Sequence, residues 1–284
     1  MRLQEESRDR RISAANAAYH DRIADLYEKD ITTLGLFDPD GACEARIRSV
    51  MARVGQACGE EAFLDLGSGT GHLAAGAANF FKTVIGTDVS QSMLKLMRTK
   101  GFEVVRSETE ALPFPDGSFA AVGAFSVLHH LFDPAGTIRE AWRVLKPGGW
   151  FYADWDPNRA YNRAFPVGRF VRDFVKRSRF LFYPSLVLLS LLKARRAAAA
   201  ERRAYREFLE AEYHANFRGG LDPDGLVKIL GSTGFREIEI HCHNNDRSLE
   251  LRPSVPVLTR ILNMNFKRLK EREKGRYFAV LARK

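Results

Sequence analysis

The chain is poor in cysteine. It has three among 284 residues, Cys43, Cys58 and Cys242, which are scattered and odd in number. They supply neither a disulfide framework nor a clustered zinc site, and a reducing compartment is the simpler expectation. Long hydrophobic runs are also missing: no apolar stretch reaches the roughly 18 residues that a membrane-spanning helix requires. The opening "MRLQEESRDRR" carries charge where a signal peptide has its apolar core. A cytoplasmic location is therefore expected. Internal repeats are absent. Acidic residues are scarce in one place only. Between Arg169 and Arg206 stand eleven Lys/Arg and two Asp/Glu, while the rest of the chain carries 33 residues of each sign. The whole net charge of +9 sits in that segment.

What is present is an alternation. The first sixty residues read as helices, with "ISAANAAYHDRIADLYEKD" at helical spacing and Asp38 as a candidate cap for a second helix through "PDGACEARIRSVMARV". Strands then alternate with helices. "AFLDL", "TVIGTD", "FEVVRS", "FAAVGAF" and "WFYADW" read as strands, with "GHLAAGAANFF", "SQSMLKLMRTK" and "DPAGTIREAWRVLKPGG" as helices between them. This pattern predicts βαβ units and a parallel sheet. A basic, Ala-rich helical block interrupts it over 160–218, and it resumes with "LDPDGLVKILGSTGF", "REIEIHC" and "RYFAVLAR".

The glycine turn in "FLDLGSGTGHLA" (63–74) asks for a ligand that needs bare backbone at a strand-to-helix junction. A dinucleotide fingerprint read from Gly67 finds His72 where its last glycine belongs, and no Lys-Ser or Lys-Thr follows as in a P-loop. An acidic residue, Asp65, precedes the glycines, which suits a ligand carrying an ammonium group. Asp88 ends the next strand nineteen residues after Gly69, where a carboxylate can accept from a ribose diol.

Further on come "SETEALPFPDGSF", "SVLHHL" and "REAWRVLKPGG". With these four motifs in order, the chain resembles the class I S-adenosylmethionine-dependent methyltransferases, and most of all their small-molecule, type 11-like branch. The resemblance is strong over 60–155 and looser over 220–284. It implies an α/β fold: a Rossmann-like, doubly wound, seven-stranded sheet with its last strand antiparallel. N-terminal helices (1–59) would cover the cofactor, 60–159 and 219–284 would form the core, and 160–218 would be a helical cap insertion. It implies S-adenosylmethionine as cofactor, with Asp65 and Gly67 near its methionine part and Gly69 letting it approach the backbone. Asp88 would hold the ribose, Val89 and Met93 would pack on adenine, and Glu108 and Thr109 would meet the adenine edge. Ser68 and Phe125 complete the expected cofactor set. Glu108 stands where the family usually has Asp, and Ala120 where it often has Asp; the latter position is read as structural.

Methyl transfer from a sulfonium chiefly needs alignment and a water-poor pocket, and a base only where the acceptor must lose a proton. No fixed triad is expected and none is found. His129, His130 and Tyr27 are the candidates for a helper base or pocket wall, and Tyr19, His20, Trp155, Asp156 and His214 for contact with the acceptor. No metal is expected: on a strand His241 and His243 would share one face and Cys242 the other, which suits chelation poorly.

The cap contains thirteen residues, Phe180 to Leu192, broken only by Ser, Tyr and Pro and flanked by basic residues. It reads as a buried cap helix, a lid over a greasy acceptor, or an interfacial element on anionic membrane through 169–206. The expected partner is a small apolar or amphiphilic molecule of lipid, quinone or natural-product type. Nucleic acid is the competing source of the charge. Against it, Phe125-Ser126-Val127-Leu128 replaces the Asn/Asp-Pro-Pro-aromatic signature of base-amino methyltransferases, and the Pro-Cys pair of cytosine-C5 enzymes is missing. The alternatives are an RNA or other nucleic-acid methyltransferase using the basic block and a non-catalytic S-adenosylmethionine-binding accessory protein. The oligomeric state is not legible.

Overall fold

A computed structural model of the chain describes residues 2–33, 41–59, 61–164, 203–204, 206–243, 275 and 277–284. The apolar run 180–192, and all of the basic block 169–206 except residues 203, 204 and 206, lie outside them. Asp38 does too; α2 (Ala42–Cys58) is entered instead through Gly41, in a left-handed conformation at φ 71°. Among the described residues no helix is long and apolar enough to cross a membrane.

The core is one seven-stranded sheet in the order β3-β2-β1-β4-β5-β7-β6. The strands are β1 (Ala62–Leu66), β2 (Thr83–Asp88), β3 (Glu103–Arg106), β4 (Phe119–Phe125), β5 (Leu145–Pro157), β6 (Arg236–His243) and β7 (Tyr277–Arg283). The pairs among β1 to β5 are parallel, whereas β7 runs antiparallel to both β5 and β6. The strand order reverses between β1 and β4, which opens a crevice beyond their carboxyl ends. Central strands must be apolar on both sides, and all seven residues of β4 are buried.

Helices cover both faces. On one, α2 and α3 (His72–Ala77) pack Ile47, Met51, Val54, Leu73 and Ala77 against Phe63, Ala121 and Tyr152. On the other, α5 (Pro134–Val144) and α7 (Pro223–Thr233) pack Ile138, Ala141, Leu226 and Leu230 against Leu64, Val122 and Phe151. Helix starts follow local chemistry. Ser90 accepts the Met93 N–H at 3.1 Å to cap α4 (Gln91–Thr99), and Asp133 accepts the Ala135 N–H at 3.1 Å ahead of Pro134 in α5. A short α6 (Arg159–Ala164) follows β5.

Two boundaries differ from the sequence reading. α5 stops at Val144, because Pro147 keeps the residue before it out of the helical region; "LKPGG" then opens β5 through an irregularity between Phe119 and Ala121 of β4. The long α1 (Arg2–Thr33) begins well before the apolar pattern first seen in it, which starts at Ile12.

The family motifs acquire a physical meaning here. Arg143 of "RVLKPGG" donates to the carbonyls of Phe114 at 2.8 Å and Leu112 at 3.0 Å and to Asp116 at 2.8 Å, all in "LPFPDGSF". Glu140 holds the same guanidinium and accepts the Leu112 N–H. The loop after β3 is thereby fixed on α5.

Candidate functional site

The crevice holds a cavity of about 510 Å³, floored by the carboxyl ends of β1, β2 and β4 and roofed by α1. Glycine is required at Gly67: its φ is 56°, and a Cβ there would stand 2.8 Å from a Val127 methyl. At Gly69, φ 52°, a Cβ would meet nothing and would fill space that is open to a ligand.

Asp65, at the end of β1, is 1% exposed. Its Oδ2 accepts the Ala74 N–H at 3.0 Å, while Oδ1 is buried with no partner among the described residues. Burial pushes its carboxyl up to about 8, because charge is costly in a dry site. Ser68 Oγ is likewise buried with no partner among the described residues. Asp88, at the end of β2, accepts the Gly69 N–H at 2.9 Å on Oδ2 and the Ser90 N–H at 2.8 Å on Oδ1. Both bonds fix the carboxylate while leaving it further lone pairs. Burial raises its pKa also.

These features fit S-adenosylmethionine. An unsatisfied buried carboxylate oxygen at Asp65 matches its ammonium group, a rigid carboxylate at Asp88 matches its ribose diol, and the bare Gly69 backbone admits close approach. When bound, the cofactor supplies a methyl group on a sulfonium sulfur, open to in-line displacement. The chain's own part is to hold the reactants and exclude water.

Polar contacts tie the roof down. Asp21 of α1 accepts from Ser90 Oγ at 2.6 Å and from the Ser92 N–H at 2.9 Å. Asn16 donates to the His130 carbonyl at 3.1 Å, and Ser13 donates to Glu108 at 3.0 Å. Glu108 thus turns toward α1 and away from the cavity, whose wall at that end is formed by Thr109 and Glu110. Sequence reasoning missed Glu110. Thr109 Oγ1 bonds both Glu110, at 3.0 Å, and Thr137, at 2.7 Å, so the neighbour rather than Glu108 is held inward.

The other expected residues fall into two sets. Val89, Met93, Phe125, His20 and His130 line the cavity. Tyr19, Trp155, Asp156, His129 and His214 stand behind its wall. Tyr19 packs on Phe208 with centroids 5.4 Å apart, and Trp155 stacks on Tyr277 at 4.8 Å. His214 Nε2 meets the Phe132 carbonyl at 3.3 Å. The side chain of Tyr27 lies outside the described residues.

Burial, reinforced by the neighbouring His129, takes His130 down to about 3. Burial and Arg218 take His214 to about 4. Both are neutral near pH 7 and are weak proton acceptors. His129 is placed differently. Its Nδ1 lies 2.8 Å from Asp156 Oδ1, the oxygen that also accepts the His129 N–H at 3.0 Å.

A further buried carboxylate escaped the sequence reading. Asp154 in β5 is fully buried and bonds Arg46 Nε at 2.8 Å, Tyr152 Oη at 2.6 Å, His243 Nε2 at 2.8 Å and the Trp155 N–H at 2.6 Å. Burial pushes its carboxyl up, but His243, Arg46 and Tyr152 together outweigh this and hold it below the ordinary carboxylate range. Beside it, Ser126 and Trp155 both adopt left-handed backbone, φ 60° and 66°. The Ser126 N–H donates to the Asp154 carbonyl at 2.8 Å, so the two strained residues lie side by side at adjacent strand ends. Strain of about 1–3 kcal/mol per residue collects at functional rims of this kind. The available sequence signal was position: Asp154 is the acidic residue inside the apolar strand "WFYADW", next to β4 in the sheet.

Comparison with known proteins gives the same picture. Residues 64–153 match the family model described as a methyltransferase domain. An uncharacterized methyltransferase of Bacillus subtilis, YcgJ, is 30% identical over 216 residues, covering 72% of this chain and 78% of that protein. A ubiquinone biosynthesis O-methyltransferase of Thiobacillus denitrificans is 36% identical over 97 residues, 31% of this chain and 41% of its own length. The ubiquinone/menaquinone biosynthesis C-methyltransferase UbiE of Escherichia coli is 37% identical over 97 residues, 30% of this chain and 39% of its own. The chain therefore spans less than half the length of these two quinone relatives. In fold it is similar to a methyltransferase from Archaeoglobus fulgidus, with TM-score 0.54, 17% identity, and 91% and 99% of the two chains covered. It is similar too to a phosphoethanolamine N-methyltransferase of Haemonchus contortus solved with S-adenosylmethionine, with TM-score 0.51, 16% identity, and 84% and 52% covered. A carboxylate ending each of the first two strands, a glycine turn between them and a relative matched across most of both lengths lead to one conclusion: the chain is an enzyme of the class I S-adenosylmethionine-dependent methyltransferase family.

Proposed function

We propose that the acceptor is a small apolar or amphiphilic molecule of lipid, quinone or natural-product type. The observation that carries this reading is the cavity wall. Ile12, Phe125, Val127, Leu131 and Phe132 give it an apolar side continuous with the cofactor end. With the cofactor end included, its volume falls within the roughly 300–1,000 Å³ of small-molecule sites. The two quinone-pathway relatives support the same class.

An acceptor with a ready lone pair needs only alignment and a dry site. A hydroxyl acceptor must also lose its proton. Polar groups on the wall that could take it include His20 and His130, and the His129–Asp156 pair adjoins His130. The basic block 169–206 would add attraction to anionic membrane, about 1 kcal/mol per basic residue near the surface, and so bring the enzyme to lipid-borne acceptors.

The test is transfer of labelled methyl from S-adenosylmethionine to short-chain quinols, phenols and an RNA pool, with vesicle sedimentation alongside. Label in the small acceptors supports the reading. Label in RNA alone, with affinity falling steeply as salt rises, overturns it.

A further inference from the structure

The turn after β4 and the segment before the His214–Arg218 turn bring together three groups that the sequence separates by more than eighty residues. His129, His130 and Glu212 each present one ligand atom, and these atoms all lie within 4.8 Å of one another. His129 Nε2 stands 3.9 Å from Glu212 Oε2, and the two imidazole centroids are 4.0 Å apart with planes at 36°.

The outer nitrogens decide what the inner ones present. His129 Nδ1 faces a carboxylate, Asp156 Oδ1, at 2.8 Å, and His130 Nδ1 faces the Ala211 carbonyl at 2.6 Å. Both partners accept, so each Nδ1 carries its hydrogen and each neutral ring keeps its lone pair on Nε2. A ring nitrogen bonded to a carboxylate or a backbone carbonyl is also how metal-binding histidines are held. Asp156 is in turn fully buried and fixed by the His129 N–H at 3.0 Å. The backbone behind Glu212 is anchored by its N–H to the Phe208 carbonyl at 3.2 Å.

We propose that His129, His130 and Glu212 form a divalent transition-metal site beside the cofactor cleft. Two imidazoles and one carboxylate suit zinc, cobalt, nickel or ferrous iron better than magnesium or calcium, which take oxygen ligands. With bonds of about 2.0–2.2 Å, ligand atoms on one ion stand roughly 3–3.5 Å apart. The widest of the three separations must therefore close by up to roughly 1.3–1.8 Å. Three protein ligands leave positions open, and His130 also lines the cavity.

One consequence rests on the small-acceptor reading above. An open position on the cavity side, where His130 lies, would take a hydroxyl of the acceptor and lower its pKa, so that its proton leaves to solvent. The oxygen pair then forms the bond to the methyl carbon as the carbon–sulfur bond breaks and its pair stays on sulfur. On this account the acceptor is a phenol, enol or similar hydroxyl compound. His129 cannot be ligand and proton acceptor through the same nitrogen, and metal uptake decides between the two.

The experiment uses the untagged full chain, stripped with chelator and titrated with cobalt(II) and zinc(II), without any acceptor. Cobalt should enter as one equivalent with visible ligand-field bands, and zinc should displace it. Glu212→Gln and His130→Gln should each weaken zinc at least tenfold, and Asp156→Asn about tenfold through the ring it orients. Binding of S-adenosylhomocysteine to Glu212→Gln checks that this variant is folded; should it fail, His130→Gln with intact circular dichroism carries the comparison. Absence of a stoichiometric site in the wild-type chain overturns the proposal. So does zinc affinity that the substitutions leave within twofold, which would put the ion elsewhere. If the wild type takes up zinc but ignores S-adenosylhomocysteine, the cofactor assignment fails and the metal site stands.

Discussion

The Asp65 carboxylate accepts the Ala74 N–H at 3.0 Å through one oxygen and buries the other with no partner among the described residues. A carboxyl raised to about 8 in the folded protein, against 3.8 as a free group, binds more protons folded than unfolded between those values. Its contribution to stability is therefore full below pH ~4 and is lost as pH rises toward 8. An ammonium group placed on the bare oxygen favours the ionised form. Affinity for S-adenosylhomocysteine should then climb from pH 6 to 8, approaching tenfold per unit, and binding at pH 7 should release a proton. Calorimetry in buffers of different ionisation enthalpy measures both. Affinity flat over that range would separate Asp65 from the ligand amine.

Arg46→Met should leave the fully buried Asp154 without its cation. Breaking a buried pair from one side costs about 3–5 kcal/mol. The Asp154 pKa is depressed in the fold, so the stabilisation is present above the unfolded value and is lost as pH falls through the folded one. Urea denaturation at pH 7 should show the full loss, and the gap to wild type should narrow below about pH 4. A loss under 1 kcal/mol at pH 7 would mean that His243 and Tyr152 suffice.

Asp21→Ala removes the acceptor shared by Ser90 Oγ and the Ser92 N–H. These bonds hold α1 on the start of α4, and the sheet makes no use of them. Each is worth roughly 1 kcal/mol. The variant should release S-adenosylhomocysteine several-fold faster in stopped flow, with little change in melting temperature. Unchanged release would show that the other contacts of α1, those of Asn16, Ser13, Arg11 and Arg22 among them, hold the roof without Asp21.

Much of this site was legible in the sequence because topology fixes its spacing. One strand, a tight turn, a helix and a second strand put Asp65 and Asp88 at neighbouring strand ends whatever the side chains between them. The same holds for the antiparallel last strand, implied by the family motifs. What escaped depends on partners distant in the chain. Arg46 meets Asp154 across 108 positions, and Glu212 reaches His129 from the far side of the insertion. Trp155 leaves the strand alternation because its φ is 66°, which no periodicity reveals. Glu108 and Glu110 are equivalent as letters; Ser13 on α1 and the Thr109–Thr137 pair decide which faces the cavity.

The central claim is that Asp88 and the glycine turn hold S-adenosylmethionine. Its most direct measurement is calorimetric titration of S-adenosylhomocysteine into the wild-type chain and Asp88→Ala. The variant loses the ribose acceptor and orphans the Gly69 and Ser90 N–H groups, since both now end on that carboxylate. Two bonds to a charged group are worth about 3 kcal/mol or more, so affinity should fall at least a hundredfold while circular dichroism stays native. The wild type should bind one equivalent and give no heat with NAD. Wild-type affinity retained in Asp88→Ala, or binding of NAD in place of S-adenosylhomocysteine, would contradict the account.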